Sequence, residues 1–153
     1  MGNKLTASVS ISVKAGKEEV WDALTNPDKI RQYFFGTHAI SDWKKGSSIK
    51  FTGEWEGKTY EDKGTILDTK PGKLFRYTYW SSMGKLEDKP ENYSTVTYQL
   101  VPSGSETVVE VSQDNIANEE DRNHSEKNWQ YLLGEMKKLV EKNLSEKLNT
   151  NSD

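Results

Sequence analysis

The sequence predicts an α+β fold: a curved antiparallel sheet of six to seven strands wrapped around one long C-terminal helix. Three observations carry that prediction. Several runs alternate apolar and polar residues with a period of two and are joined mainly by tight turns. Two short helical segments interrupt these runs after the first. The end of the chain then repeats apolar residues with a 3.6 period. A sheet with one dry face and one amphipathic helix must bury those faces against each other.

The elements follow in order. Thr6 to Val13 reads TASVSISV, with Ala7, Val9, Ile11 and Val13 on one face. Gly16 or a neighbour then caps a short helix, with Glu18 and Glu19 in its first turn, where carboxylates suit the dipole. Val20, Trp21 and Leu24 form its apolar face. Asn26 is an N-cap residue and Pro27 suits the first helical position, so a second short helix starts there. Ile30, Tyr33 and Phe34 fall at i, i+3, i+4 on it. A short strand fits near Thr37–Ile40. Ser48 to Trp55 alternates again, Glu56-Gly57 is a hairpin turn, and Thr59 to Thr69 is the return strand. Pro71-Gly72 fits a type II turn. Lys73 to Trp80 is a strand with Phe75, Tyr77 and Tyr79 on one face. Ser81 to Asn92 is polar and reads as a long loop. It either lies over the mouth of an interior space or is a solvated connection. Tyr93 to Val101 places Val96, Tyr98 and Leu100 together, Pro102 to Ser105 turns, and Thr107 to Gln113 is the last strand. Asn118 caps the long helix, which runs to about Lys147, roughly 45 Å at 1.5 Å per residue. Trp129, Leu132, Leu133, Met136, Leu139, Val140 and Leu144 lie in one arc. The domain is expected to span 1–148, with 149–153 as a flexible tail.

The bulk composition bounds the function. The chain has 153 residues, 29% of them charged, and a net charge of -3. Mean hydropathy is -0.88. The core must therefore lean on five Trp, seven Tyr and four Phe, each of which buries a large area. An acidic chain without a clustered basic face argues against nucleic-acid binding. There is no cysteine, so no disulfide, thiol nucleophile or thiolate metal site. No apolar run spans a bilayer and no signal-peptide core precedes the first strand, so a cytoplasmic protein without membrane contact is expected. Met1 to Thr6 matches a myristoylation pattern, which is also met by chance in a segment leading into a strand.

Four blocks, VWDALTNPDKI, DWKKGSSIKF, KGTILDTKPGKLFRYTYW and NWQYLLGEMKKLVE, carry a resemblance. In this order they resemble stand-alone proteins similar to the C-terminal domain of the activator of heat-shock-protein-90 ATPase. These belong to the START-like, Bet v 1-like (SRPBCC) superfamily. The resemblance covers about Leu5 to Leu148. One departure is Tyr33, where these proteins often carry Trp. The resemblance implies a helix-grip fold with a cavity between sheet and helix, one end closed by the two short helices. It implies hydrophobic-ligand binding, cyclase or hydrolase activity, or contact with a chaperone in the stress response. No catalytic motif carries over, and the chain has no room for the activator's N-terminal partner domain.

The candidate site residues come from the strand faces and the helix arc. If Glu56-Gly57 is a two-residue loop, Trp55 pairs with Lys58, Gly53 with Tyr60 and Phe51 with Asp62. Tyr60 and Asp62 then share a face with Ile49 and Phe51, and a carboxylate on a dry face needs a partner. A longer loop slips the register and sends Asp62 to solvent. Trp55, Tyr77, Tyr79, Tyr98 and Trp129 either line a ligand cavity or fill an aliphatic-poor core. With Phe51, Tyr60 and Asp62, and with Leu133 and Met136 on the helix, they form the candidate ligand-binding set. No catalytic residue, metal ligand or cofactor is assigned. His38 and His124 are the only histidines and there is no G-x-S-x-G elbow. Glu119-Glu120-Asp121 reads as the charged first turn of a helix or as a cation site.

Three functions remain open. The first is a non-catalytic carrier or sensor for a small hydrophobic or amphipathic ligand. The second is a protein that modulates a chaperone ATPase. The third is a cyclase- or hydrolase-type enzyme using Asp62 and tyrosines as acid and base.

Overall fold

A computed structural model describes residues 4–34, 36–82 and 86–151, with side chains for all of these except Trp55 and 147–151. Met1 to Asn3 of the N-terminal motif, and Gly84, lie outside the described residues. The order is β1 (Leu5–Val13), α1 (Lys17–Thr25), α2 (Pro27–Tyr33), β2 (His38–Ser41), β3 (Ser48–Trp55) and β4 (Lys58–Lys70). β5 (Leu74–Tyr79), a 3-10 turn (Pro90–Asn92), β6 (Ser94–Ser103), β7 (Glu106–Ile116) and α3 (Glu119–Asn151) complete it. The strands form one seven-stranded antiparallel sheet in the order β1-β7-β6-β5-β4-β3-β2.

Boundaries depart from the sequence expectation in three places. β7 continues past Gln113 to Ile116, because Asn115 adopts φ 59° at a register shift and lets Ile116 pair with Leu5. The β6–β7 turn is only Gly104-Ser105, with Pro102 and Ser103 still paired to Thr107 and Glu106. α3 runs to Asn151, past the expected end near Lys147, since neither Gly nor Pro interrupts that stretch.

Asn26 joins the two short helices. Its backbone N–H closes α1 on the Asp22 carbonyl at 2.8 Å, and its side chain accepts from the Asp28 N–H at 3.0 Å to open α2. The Tyr33 hydroxyl, in the last turn of α2, donates to the Ala23 carbonyl at 2.9 Å and fixes α2 against α1. At the start of α3, Asn118 accepts from the Asp121 N–H at 2.8 Å, so the acidic run forms a first helical turn.

β4 bends the sheet. Its first half pairs with β3 from Lys58 to Thr65, and its second half pairs with β5 from Ile66 to Lys70, with a register shift between Ile66 and Asp68. Gly64 sits at the crossover, where an added Cβ would collide with the Thr78 carbonyl. Beside it the Thr65 N–H is taken by the Thr78 hydroxyl at 2.9 Å. A strand can approach its neighbour this closely only without a side chain.

α3 lies along the opposite edge, chiefly against β1 and less against β7, with α1 and α2 at its flank. Its side chains cap the free edge of β1. Glu126 accepts from the Ser8 N–H at 3.1 Å, Glu141 from the Lys14 N–H at 2.8 Å, and Lys137 donates to the Ser12 carbonyl at 2.7 Å. An uncovered edge strand would otherwise offer those groups to another chain. Leu132, Leu133, Met136 and Val140 bury the inner face of α3 against Val13, Val109, Val111 and Val96 in one core cluster. Among the described residues no helix is long and apolar enough to cross a membrane.

Replacing Asn26 by Ala removes the α2 cap. Urea unfolding should show a loss of about 1 kcal/mol, and Asn26→Asp should recover most of it.

Candidate functional site: an aromatic cavity under the sheet

A cavity of about 610 Å³ lies on the concave side of the sheet, beneath β3–β6 and between α2 and the first half of α3. It exists because α3 stays near β1 while the sheet curls away at β4. Its floor is set by strand alternation. Phe51 on β3 stands beside Asp62 and diagonally from Tyr60 on β4, Phe75 pairs with Tyr98 across β5 and β6, and Tyr77 follows two residues on. The rings form a connected belt. Centroids are 6.1 Å apart for Phe34–Phe51, 5.8 Å for Phe51–Tyr77, 6.5 Å for Tyr77–Tyr98 and 5.8 Å for Tyr98–Trp129.

The two-residue turn holds. Glu56 and Gly57 both take positive φ, 50° and 80°, and Phe51 lies opposite Asp62. Asp62 is therefore inside, 6% exposed. Its Oδ2 accepts from the Tyr79 hydroxyl at 2.6 Å and its Oδ1 from the Ser82 N–H at 3.1 Å. The Ser82 hydroxyl in turn accepts from the Glu61 N–H at 2.9 Å. These bonds tie the outer half of β4 to the chain leaving β5. Tyr60 lies across Gly53, where a Cβ would come within 2.5 Å of its hydroxyl, and that hydroxyl bonds to the buried Thr37 hydroxyl. Trp129 Nε1 donates to Gln113 Oε1 at 2.9 Å.

Burial pushes the phenols of Tyr33, Tyr77, Tyr79 and Tyr98 well above their ordinary range. For Tyr79 the nearby Asp62 carboxylate adds to burial, because it accepts the phenol proton and repels a phenolate. For Tyr98 the second cause is Tyr77. At Tyr77 the neighbouring Tyr98 hydroxyl works against burial.

Of the ten candidate residues, Phe51, Tyr60, Asp62, Tyr77, Tyr79, Tyr98 and Trp129 line this cavity. Leu133 and Met136 do not. Both are fully buried in the core beside it, one helical turn further from the mouth. The Trp55 side chain lies outside the described residues. Sequence reasoning missed Trp43, Phe34, Ile30, Leu24 and Phe75 as walls, and Ser125, Asn128 and Tyr131 on α3 at the mouth. Trp43 had a visible signal, as a large aromatic in a polar turn. It adopts φ 61°, held by a hydrogen bond from its N–H to the Ser41 hydroxyl at 2.9 Å, and its ring lies 6.0 Å from Phe75.

His38 and His124 are exposed and neither is on the lining. Among the described residues no three His, Asp or Glu side chains cluster as metal ligands. Described residues 81, 82 and 86–92 do not line the cavity either. Residues 86–88 fold back onto the outer side: Trp80 Nε1 donates to the Leu86 and Glu87 carbonyls, and Asp88 pairs with Lys63 at 2.6 Å.

A curved antiparallel sheet gripping a C-terminal helix, with two short helices at one end and a cavity between, defines a protein of the Bet v 1-like helix-grip fold. Within it, the chain belongs to the family described as Activator of Hsp90 ATPase homolog 1-like protein, whose model matches residues 14–141. It is similar to the solution structure of ChR145 from Cytophaga hutchinsonii, with 44% identity over 95% of this chain and 99% of that one, and a TM-score of 0.82. The fold is shared with the Aha1 dimer from Colwellia psychrerythraea (19% identity, 89% and 96% covered, TM-score 0.71). It is shared also with Ara h 8.0201 (11% identity, 90% and 98% covered, TM-score 0.73). No curated protein matches the chain.

The buried phenols give a pH dependence. A folded-state pKa above the ordinary 10.0 means that the unfolded chain releases those protons first. The stability is fully present below pH 10 and is lost as pH rises beyond it. Absorbance titration near 295 nm should show Tyr33, Tyr77, Tyr79 and Tyr98 silent until the protein unfolds, with Tm falling steadily above pH 10.

Proposed function

We propose that this protein binds a small hydrophobic or amphipathic molecule in the cavity between the sheet and α3, as a carrier or sensor rather than an enzyme. The observation that carries the reading is the cavity itself. At about 610 Å³ it falls within the range of roughly 300–1,000 Å³ usual for small-molecule sites. Its walls are mainly aromatic, and its few polar groups converge from β4, β5 and β6. Catalysis is disfavoured by the chemistry present: neither histidine reaches the lining, and Asp62 has no second carboxyl beside it among the described lining residues to complete an acid–base pair. A cytoplasmic setting fits a chain whose described helices do not cross a membrane.

Family membership favours a second reading, a contact with a chaperone ATPase. That contact would use the outer surface and is compatible with an occupied cavity. Co-purification with the Hsp90 of the same organism, and stimulation of its ATPase, is the direct test; neither effect would remove it.

The neutral fluorophore N-phenyl-1-naphthylamine tests the binding reading. Wild type should give saturable one-to-one enhancement. Ser125→Trp, which sets an indole at the mouth, should weaken it at least about tenfold, or about 1.4 kcal/mol, with Tm unchanged. Leu133→Ala, behind the wall, should lower stability by about 3 kcal/mol yet keep the site. Equal binding by Ser125→Trp and wild type would sink the cavity as the site.

A further inference from the structure

We propose that the ligand selected by this cavity is an organic cation: an ammonium group carried on an aromatic or otherwise apolar body. The proposal rests on the binding reading above and adds its chemical class. Four observations lead to it.

Among the described residues, Asp62 is the only carboxyl on the lining, and no Lys, Arg or His accompanies it there. Both of its oxygens act as acceptors, one toward the Tyr79 hydroxyl and one toward the Ser82 N–H. An ionised carboxylate has about four lone-pair sites. These two donors occupy two of them, which leaves acceptor capacity on a group that lines the cavity and, among the described residues, has no positive partner. A buried carboxylate without a cation is costly, and an ammonium placed beside it relieves that cost.

The surrounding rings favour the same sign. Phe51 stands opposite Asp62 on the neighbouring strand, and its ring lies 6.2 Å from Tyr79 and 5.8 Å from Tyr77, so the carboxylate opens onto a group of aromatic rings. Such faces attract ammonium groups, the more so when both are desolvated. The phenols nearest Asp62 stay protonated, so they add no competing charge.

The remaining polar groups of the wall are neutral, and several are already engaged. Gln113 is held by Trp129, and the Tyr60 hydroxyl by Thr37. Ser125 and Asn128 at the mouth are uncharged. The chain as a whole carries -3, which favours approach of a cation and disfavours that of an anion.

An anionic amphiphile such as a fatty acid would bring a second carboxylate into a space whose described lining residues include no cation. The site is therefore selective against the anionic members of the hydrophobic ligands that its volume admits.

Three probes with one apolar body test this: 2-(1-naphthyl)ethylamine as the cation, 2-(1-naphthyl)ethanol as the neutral donor, and 1-naphthylacetate as the anion. Calorimetric titration of the wild-type protein at pH 7 should rank cation above alcohol above anion, with the cation at least about tenfold tighter than the anion. Asp62→Asn should erase the cation preference and leave the alcohol within about twofold. Because that variant loses a bond and can unfold, the wild-type ranking stands as the primary readout. If the three probes bind wild type equally, or the anion binds best, and Ser125→Trp blocks them, the cavity is a ligand site and the cation proposal is overturned. If none of the three binds, the proposal and the binding reading fall together.

Discussion

Three hydrogen bonds between α3 and the outer edge of β1 decide where the interior space can lie. Glu126, Lys137 and Glu141 meet Ser8, Ser12 and Lys14 along one side of the helix. Burial acts to raise the Glu141 carboxyl, but the bonds from Lys137 and the Lys14 N–H outweigh it and hold the group below its ordinary value. The helix is thus tied to one margin of the sheet. At the other margin β4 bends at Gly64 and carries β3 and β2 away. A helix fixed at one edge and a sheet that curls at the other must enclose a wedge. α2 and the Trp43 turn close the wide end.

The wedge stays open because its rings are anchored at their tips. Tyr33 is held by Ala23, Tyr60 by Thr37, Tyr79 by Asp62 and Trp129 by Gln113. Leaving any of these buried groups unpaired would cost roughly 1–3 kcal/mol, so the rings cannot rotate inward to fill the space without forfeiting those bonds. The apolar walls between them, among them Leu24, Ile30, Ile49 and Leu132, carry no such tether and keep their places by packing. Leu133 and Met136, next to the space, are fully buried.

Local signals in the sequence were reliable where the deciding contacts were short in range. Asn26-Pro27 marked the helix junction, whereas Glu56-Gly57 left two registers open for Asp62, and the pairing of Phe51 with Asp62 decides for the inner face. The cavity walls contributed by Trp43 and α2 were not legible in that way. VWDALTNPDKIRQYFFG read as a brace and a seal, whereas Leu24, Ile30, Tyr33 and Phe34 are also walls. Periodicity says which face of a helix is dry, but not whether that face meets atoms or space. The capping of β1 by α3 joins residues more than a hundred positions apart, and no local pattern encodes it.

Asp62 has a structural duty as well as a place in the cavity. It binds two donors, one on each oxygen, and so staples β4 to the chain leaving β5. Asn would serve that duty poorly, because its amide would turn one N–H group toward a donor. The staple explains why the residue accepts on both sides. It does not explain why the stapling group faces an apolar cavity with no cation among its described lining residues, when the outer face of β4 offers water. The two duties draw on different lone pairs of the same carboxylate, so neither excludes the other. The staple also fixes the orientation of the remaining lone pairs. A ligand would meet an acceptor already in place, and the ordering cost that weakens most binding would be small.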